Sequence, residues 1–241
     1  MMIFKFKDLE IFYKYVDNAK NSTLLILHGW GCSHESLFFC SEFIKNFNLL
    51  YVDFPPFGNS SKNLQDWTIF TYVHMICSLC EKLKIEKFSV LGHSFGGRVA
   101  ILLAALNKTK FGNLVLVDSA GIKPKRTFSW YVAVLKYKIR KKLGKDVSSY
   151  GSSDYRVLDE NMKKVFCNIV NTHLDDFLPQ IRAKTLIVFG KEDKTTPIYM
   201  AKKLHKGIRN SKLVLLSNAG HFCFDDKRVE FISILRDFLE G

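Results

Sequence analysis

Short runs of β-branched, aromatic and aliphatic residues alternate with longer stretches of helical period through most of this chain, and that rhythm admits few folds. The runs are Ile3–Lys7, Ile11–Val16, Thr23–Leu27, Leu49–Asp53, Phe88–Leu91, Leu114–Val117, Thr185–Phe189 and Lys212–Leu216, eight in all. The first two alternate apolar with polar residues and lie too close for a helical crossover, so they should pair antiparallel. The later runs are almost continuously apolar, as parallel strands covered on both faces must be. Helices fit between them at roughly Leu37–Asn46, Trp67–Leu83, Phe95–Leu106, Pro197–His205 and Arg228–Leu239. The expectation is an α/β fold built on a mostly parallel, eight-stranded sheet flanked by helices.

One interval breaks the rhythm. Between about Gly121 and Ile181 there is no convincing strand, and apolar residues recur at helical spacing first through Phe128, Tyr131, Val132, Leu135, Ile139 and Leu143, then through Met162, Val165, Phe166, Ile169 and Val170. About sixty residues exceed an ordinary connection, so the segment needs helices of its own. It reads as a helical cap, or lid, at 121–181 inserted after the sixth strand of a core formed by 1–120 and 182–241.

Composition excludes several classes. A chain of 241 residues, 47% hydrophobic with 21 Phe and 5 Pro, has ample material for one core and is neither disordered nor fibrous. Its apolar runs are strand-length, far short of the roughly 20 residues that span a bilayer. The start, Met1-Met2-Ile3-Phe4-Lys5-Phe6-Lys7, reads as a strand rather than a signal peptide, so a cytoplasmic protein with free thiols is expected. Cys77 and Cys80 form a C-x-x-C inside an apolar helical pattern without a second ligand pair, which suits small buried side chains better than zinc.

The net charge is +13, and it is concentrated: Gly121 to Lys145 holds nine basic residues and no acidic one. A solvated helix face explains this, and so does an anionic ligand or lipid surface. No nucleic-acid module is present in the sequence, and oligomeric state is not legible.

The most specific local signal is Gly92-His93-Ser94-Phe95-Gly96-Gly97, set between the apolar run ending at Leu91 and the helical run beginning at Phe95. A strand turning straight into a helix crowds the backbone around a strained central residue, so positions two places away on either side must be glycine. Ser94 then sits at a helix N-terminus, where unpaired amides favour a developing negative charge. His28-Gly29-Trp30-Gly31 follows another apolar run, and the Trp30 and Phe95 amides are the expected oxyanion donors. His28 is expected to hold this loop rather than move protons. After the seventh run comes Asp193, and after the eighth comes His221, both just beyond strand C-termini, where open parallel sheets place their crevices. His221 would take the Ser94 proton and Asp193 would orient the imidazole. Asp118 and Glu192 are rivals for the acid. His34, His74, His173 and His205 fall in helical or surface-like contexts, and His93 should point away as an elbow residue.

With these motifs the chain resembles the α/β-hydrolase fold family along its whole length, and within it the small, capped, carboxylesterase-like serine hydrolases. That likeness implies an esterase acting through an acyl-enzyme on a small-molecule ester, without metal or organic cofactor. Relatives such as haloalkane dehalogenases and soluble epoxide hydrolases use an Asp at the elbow, which Ser94 excludes. The cap residues Trp130, Tyr131 and Leu135 would bind substrate. Alternatives are a thioesterase or C–C bond hydrolase using the same triad, a monoacylglycerol lipase contacting membranes through the basic cap helix, and a receptor of the same fold.

Overall fold

The computed structural model describes residues 2–241 except 65, 108, 109, 127 and 148, and the side chains of 128–130 and 153 are not described either. The eight expected strands are all present: β1 (Met2–Phe6), β2 (Leu9–Val16), β3 (Thr23–Leu27), β4 (Asn48–Val52), β5 (Phe88–His93), β6 (Phe111–Val117), β7 (Thr185–Gly190) and β8 (Ser211–Leu216). They form one sheet in the order β1-β2-β4-β3-β5-β6-β7-β8. β2 runs antiparallel to both β1 and β4, and every pairing from β4 through β8 is parallel.

The helices are α1 (Cys40–Phe43), α2 (Ile69–Lys82), α3 (Phe95–Leu106), α4 (Phe128–Lys142), α5 (Ser153–Arg156), α6 (Glu160–Asn171), α7 (Ile198–Gly207), α8 (Cys223–Asp226) and α9 (Arg228–Glu240). The helix expected at Leu37–Asn46 is instead a 3₁₀ turn, His34–Leu37, followed by the single turn α1. Ser33 caps the turn by accepting the Glu35 amide, which starts the winding early. Phe38 then turns to Tyr51 while Phe39 turns to Phe224 and Phe231, so the pair anchors two directions at once.

Both sheet faces are covered. One apolar core packs α2, α3, α6 and α7 against residues such as Leu25, Val90 and Ile187, and the other packs α1, α8 and α9 against Ile26, Leu91 and Val188. Period-two alternation along each strand feeds the two cores in turn. Cys80 is buried on α2 and Cys77 half-buried, both as free thiols.

The chain leaves β3 toward β4 on one side, whereas the next inner strand, β5, leads to β6 on the other. Connections therefore diverge at the β3/β5 boundary and leave a crevice beyond the strand ends, the usual ligand position in an open parallel sheet. Between β6 and β7 the chain makes α4, α5, α6 and a 3₁₀ turn at Asp175–Gln180, and no strand among the described residues. The apolar stripe of α4 faces solvent: Tyr131, Leu135 and Ile139 are 57%, 59% and 50% exposed. Among the described residues no helix is long and apolar enough to cross a membrane.

Candidate active site

Ser94 lies between β5 and α3 with φ 49° and ψ −107°, a strained backbone for a residue with a side chain. The surroundings over-determine it. Its amide donates to Val117 O at 3.1 Å, and its carbonyl accepts from Gly97 and Ala120, each at 3.1 Å. The flanking glycines are obligatory: a Cβ on Gly92 would lie 2.5 Å from Gly96 O, and one on Gly96 would collide with Leu27 O. These are the steric demands expected of a strand-to-helix elbow.

Asp193 and His221 arrive from the turns after β7 and β8. His221 Nε2 lies 2.9 Å from Ser94 Oγ, so the hydroxyl can donate to it. His221 Nδ1 donates to Asp193 Oδ2 at 2.8 Å. These bonds fix the tautomer, with the proton on Nδ1 and a free lone pair facing Ser94. Asp193 Oδ1 accepts the amides of Thr195 and Thr196 at 2.7 and 2.9 Å, and Oδ2 also accepts the Thr196 hydroxyl at 2.5 Å. Burial works to raise its carboxyl, but the bonds from His221 and Thr196 outweigh it, leaving Asp193 below the ordinary carboxylate range.

Neither rival acid reaches the imidazole. Asp118 accepts the Gly190 amide on Oδ1 at 2.8 Å and the Cys223 amide on Oδ2 at 3.1 Å, and burial pushes its carboxyl up to about 6. Glu192 accepts the Ala219 amide at 2.6 Å from an exposed position.

Two histidines differ from expectation. His93 turns away from the Ser94 hydroxyl but stays against the site: its buried ring lies 5.0 Å from that of His221, and its Nε2 donates to the His221 carbonyl at 2.8 Å. Burial drives its pKa down to about 3, so it stays neutral. Residue 93 precedes the elbow serine, so its side chain falls on the opposite face of β5 and meets the loop after β8 from below. His34 has the helical context expected, opening the 3₁₀ turn His34–Leu37, but is buried rather than surface-like. Its amide and Nδ1 both donate to Asp53 Oδ1, at 2.6 and 2.9 Å.

The Trp30 loop is braced as expected. His28 Nδ1 donates to Gly29 O at 2.7 Å while Nε2 accepts the Phe54 amide at 2.8 Å, and burial lowers its pKa to about 4. The Trp30 ring meets Phe57, Phe95 and Phe166 edge-on, with centroids 4.8, 5.6 and 5.1 Å away. Phe95 opens α3, and a first helical residue has no acceptor one turn back for its amide.

Above Ser94 is a cavity of about 250 Å³ whose lining includes Trp30, Phe95, Phe166, Ile169, Val170 and Met200. Sequence reading gave α6 no part in it, although Phe166, Ile169 and Val170 lie on the stripe already visible there. Tyr131 and Leu135, expected to bind substrate, are not in the lining, because α4 turns the other side toward the body. Trp130 lies outside the described side chains. Arg98, one turn into α3, also borders the cavity and was missed altogether. It is 7% exposed and donates to Ile169 O and Thr172 O at 3.0 and 2.8 Å. A cation on the last carbonyls of α6 satisfies groups that a helix end leaves open, and burial lowers its pKa to about 10.

A strained serine at a strand-to-helix elbow, an imidazole on it and a buried acid behind, all at the C-terminal edge of this sheet, define a class that sequence comparison also finds. The family model described as alpha/beta hydrolase fold matches residues 22–138, and a second, described as TAP-like protein, matches 157–239. The chain belongs to the α/β-hydrolase fold family. It is 24% identical to the uncharacterized hydrolase YugF of Bacillus subtilis over 96% of this chain and 95% of that one. It is 27% identical to the human monoacylglycerol lipase ABHD6, over 90% of this chain and 75% of the relative. Among solved structures, an esterase from Exiguobacterium antarcticum superposes with a TM-score of 0.77 at 20% identity, over 97% and 96% of the two chains.

Proposed function

We propose that this protein is a serine hydrolase cleaving small to medium carboxylic esters. The carrying observation is the unbroken line from Asp193 through His221 to Ser94, at 2.8 and 2.9 Å, on the wall of an apolar cavity. A cavity of about 250 Å³ is just below the roughly 300–1,000 Å³ of sites for drug-sized ligands, which suits a modest acyl group. The lipase and esterase names carried by two of the similar proteins agree with this chemistry.

In this reading Ser94 Oγ attacks the ester carbonyl as His221 Nε2 takes its proton, and Asp193 stabilises the imidazolium. The tetrahedral oxyanion is held by the Trp30 and Phe95 amides. His221 hands the proton to the departing alcohol, leaving an acyl group on Ser94. Water, deprotonated by the same imidazole, then releases the acid and restores the hydroxyl. Residues 121–181 act as the lid, with Phe166, Ile169 and Val170 against the acyl group.

The test is Ser94→Ala. Its kcat on p-nitrophenyl butyrate falls by about 10⁴-fold or more, and labelling by a fluorophosphonate disappears, with the circular dichroism unchanged. Undiminished turnover in a folded variant refutes the assignment.

A further inference from the structure

Helix α4 separates its side chains in an unusual sense. Half-buried Val134 and Tyr137 and, at the edge, exposed Ala133 and Lys138 line, with Tyr150, Tyr155 and Phe166, a groove of about 970 Å³. The other side carries Tyr131, Leu135 and Ile139 at intervals of four, and Leu143 continues the line just past the helix end. These four are 57%, 59%, 50% and 62% exposed. A soluble helix normally buries such a stripe and shows a polar face to water. At 100° per residue, Lys136 falls on one shoulder of the stripe, and Lys138 and Lys142 on the other.

We propose that this outward face of α4 is a docking surface for anionic lipid bilayers. The stripe is the right shape for the headgroup boundary, because large apolar side chains sit at its centre and lysines flank it on both sides. Lysine stems can lie along the apolar layer while their ammonium groups reach lipid phosphates. Charge selects the occupant: from Gly121 to Lys145 there are nine basic residues and no acidic one, which suits an anionic membrane. A second copy docked through the same face would bring two such strips together and be repelled. A helix of 15 residues, roughly 22 Å long, lies on the bilayer rather than spanning it. The same insertion supplies Phe166 to both the inward groove and the cavity over Ser94, so docking would place that cavity close to lipid. The binding itself does not depend on the esterase reading.

The experiment is sedimentation of the full chain with phosphatidylglycerol-rich vesicles and with pure phosphatidylcholine vesicles, at low and high salt. The protein pellets with the anionic vesicles at low salt and is released by high salt. Ile139→Glu combined with Leu143→Glu loses pelleting, and Lys136→Gln with Lys142→Gln lowers the partition coefficient roughly tenfold or more. Unchanged circular dichroism and turnover of soluble p-nitrophenyl butyrate certify that the variants are folded. Absence of pelleting by the wild type, equal pelleting on both lipids, or pelleting unchanged in Ile139→Glu/Leu143→Glu overturns the proposal. So does a dimer that the glutamates dissociate, seen by sedimentation velocity, in a protein that ignores vesicles.

Discussion

Ser94, Asp193 and His221 stand on strand ends where almost every neighbouring polar group is committed, whereas α4, barely a connection away, turns four large apolar side chains to water. Asp193 alone receives four bonds, from Thr195, from His221 and two from Thr196. The carbonyl of His221 is caught by His93, and the turn that follows is caught by Asp118. The insertion is tied to the body through the buried guanidinium of Arg98 on the end of α6, the Trp30 ring on Phe166 and the Lys203–Asp175 pair, while the outer face of α4 stays exposed. Placement of reacting groups needs sub-ångström constancy, and a roof that admits substrate needs a lower cost of opening. In the proposed reading the two regions divide those requirements.

The contrast can be broken most severely at the acid. Asp193→Asn should lower kcat by about 10⁴-fold, because the wrong imidazole tautomer is then favoured. Glu192→Gln should stay within a few-fold in the same assay, and an equal loss there would unseat Asp193. Next comes the tie between regions. Arg98→Met leaves the α6 carbonyls unpaired and should cost roughly 3 kcal/mol locally, so that hydrogen exchange in α6 quickens about a hundredfold while β5 and β6 are unchanged. Uniform acceleration across the sheet would mean that roof and floor open as one.

Acid should loosen the floor. His28 and His93, lowered to about 4 and about 3, stay neutral when folded but protonate below about 6.5 when unfolded, so stability is lost as pH falls from neutrality. Asp118, raised to about 6, works oppositely, since its folded form binds the proton first as pH drops. Two histidines against one carboxyl leave a net loss of about 2–3 kcal/mol between pH 7 and pH 5, measurable by urea melts. Smallest is the effect on the soluble substrate of trimming the roof. Phe166→Ala should raise KM for p-nitrophenyl butyrate about tenfold, whereas Tyr131→Ala and Leu135→Ala should each change it less than twofold.

Legibility followed the same divide. The strands were readable because continuous apolar runs of this length have few alternatives in water, and the elbow because steric crowding leaves glycine no substitute at positions 92 and 96. Ser94, Asp193 and His221, which the structure brings within hydrogen-bond reach of one another, were singled out by their places after strands. His93 was misjudged since residue spacing says which face a side chain takes but not what loop waits there. The face of α4 was misjudged for a related reason: both sides of that helix carry apolar residues, and periodicity cannot say which side the body claims. Arg98 gave no signal in sequence, for a lone arginine in an apolar helix declares no partner until a second helix end arrives above it.

Asp118 grips the amide that opens the acid's turn with one oxygen and an amide just past the base with the other. It works as a shared pivot: a displacement of either turn is handed to its neighbour, so the pair stays in mutual alignment when the platform beneath flexes. An insertion between Gly190 and Asp193, or between His221 and Cys223, would put slack between clasp and reacting side chain and should spoil the working angle between carboxylate and imidazole.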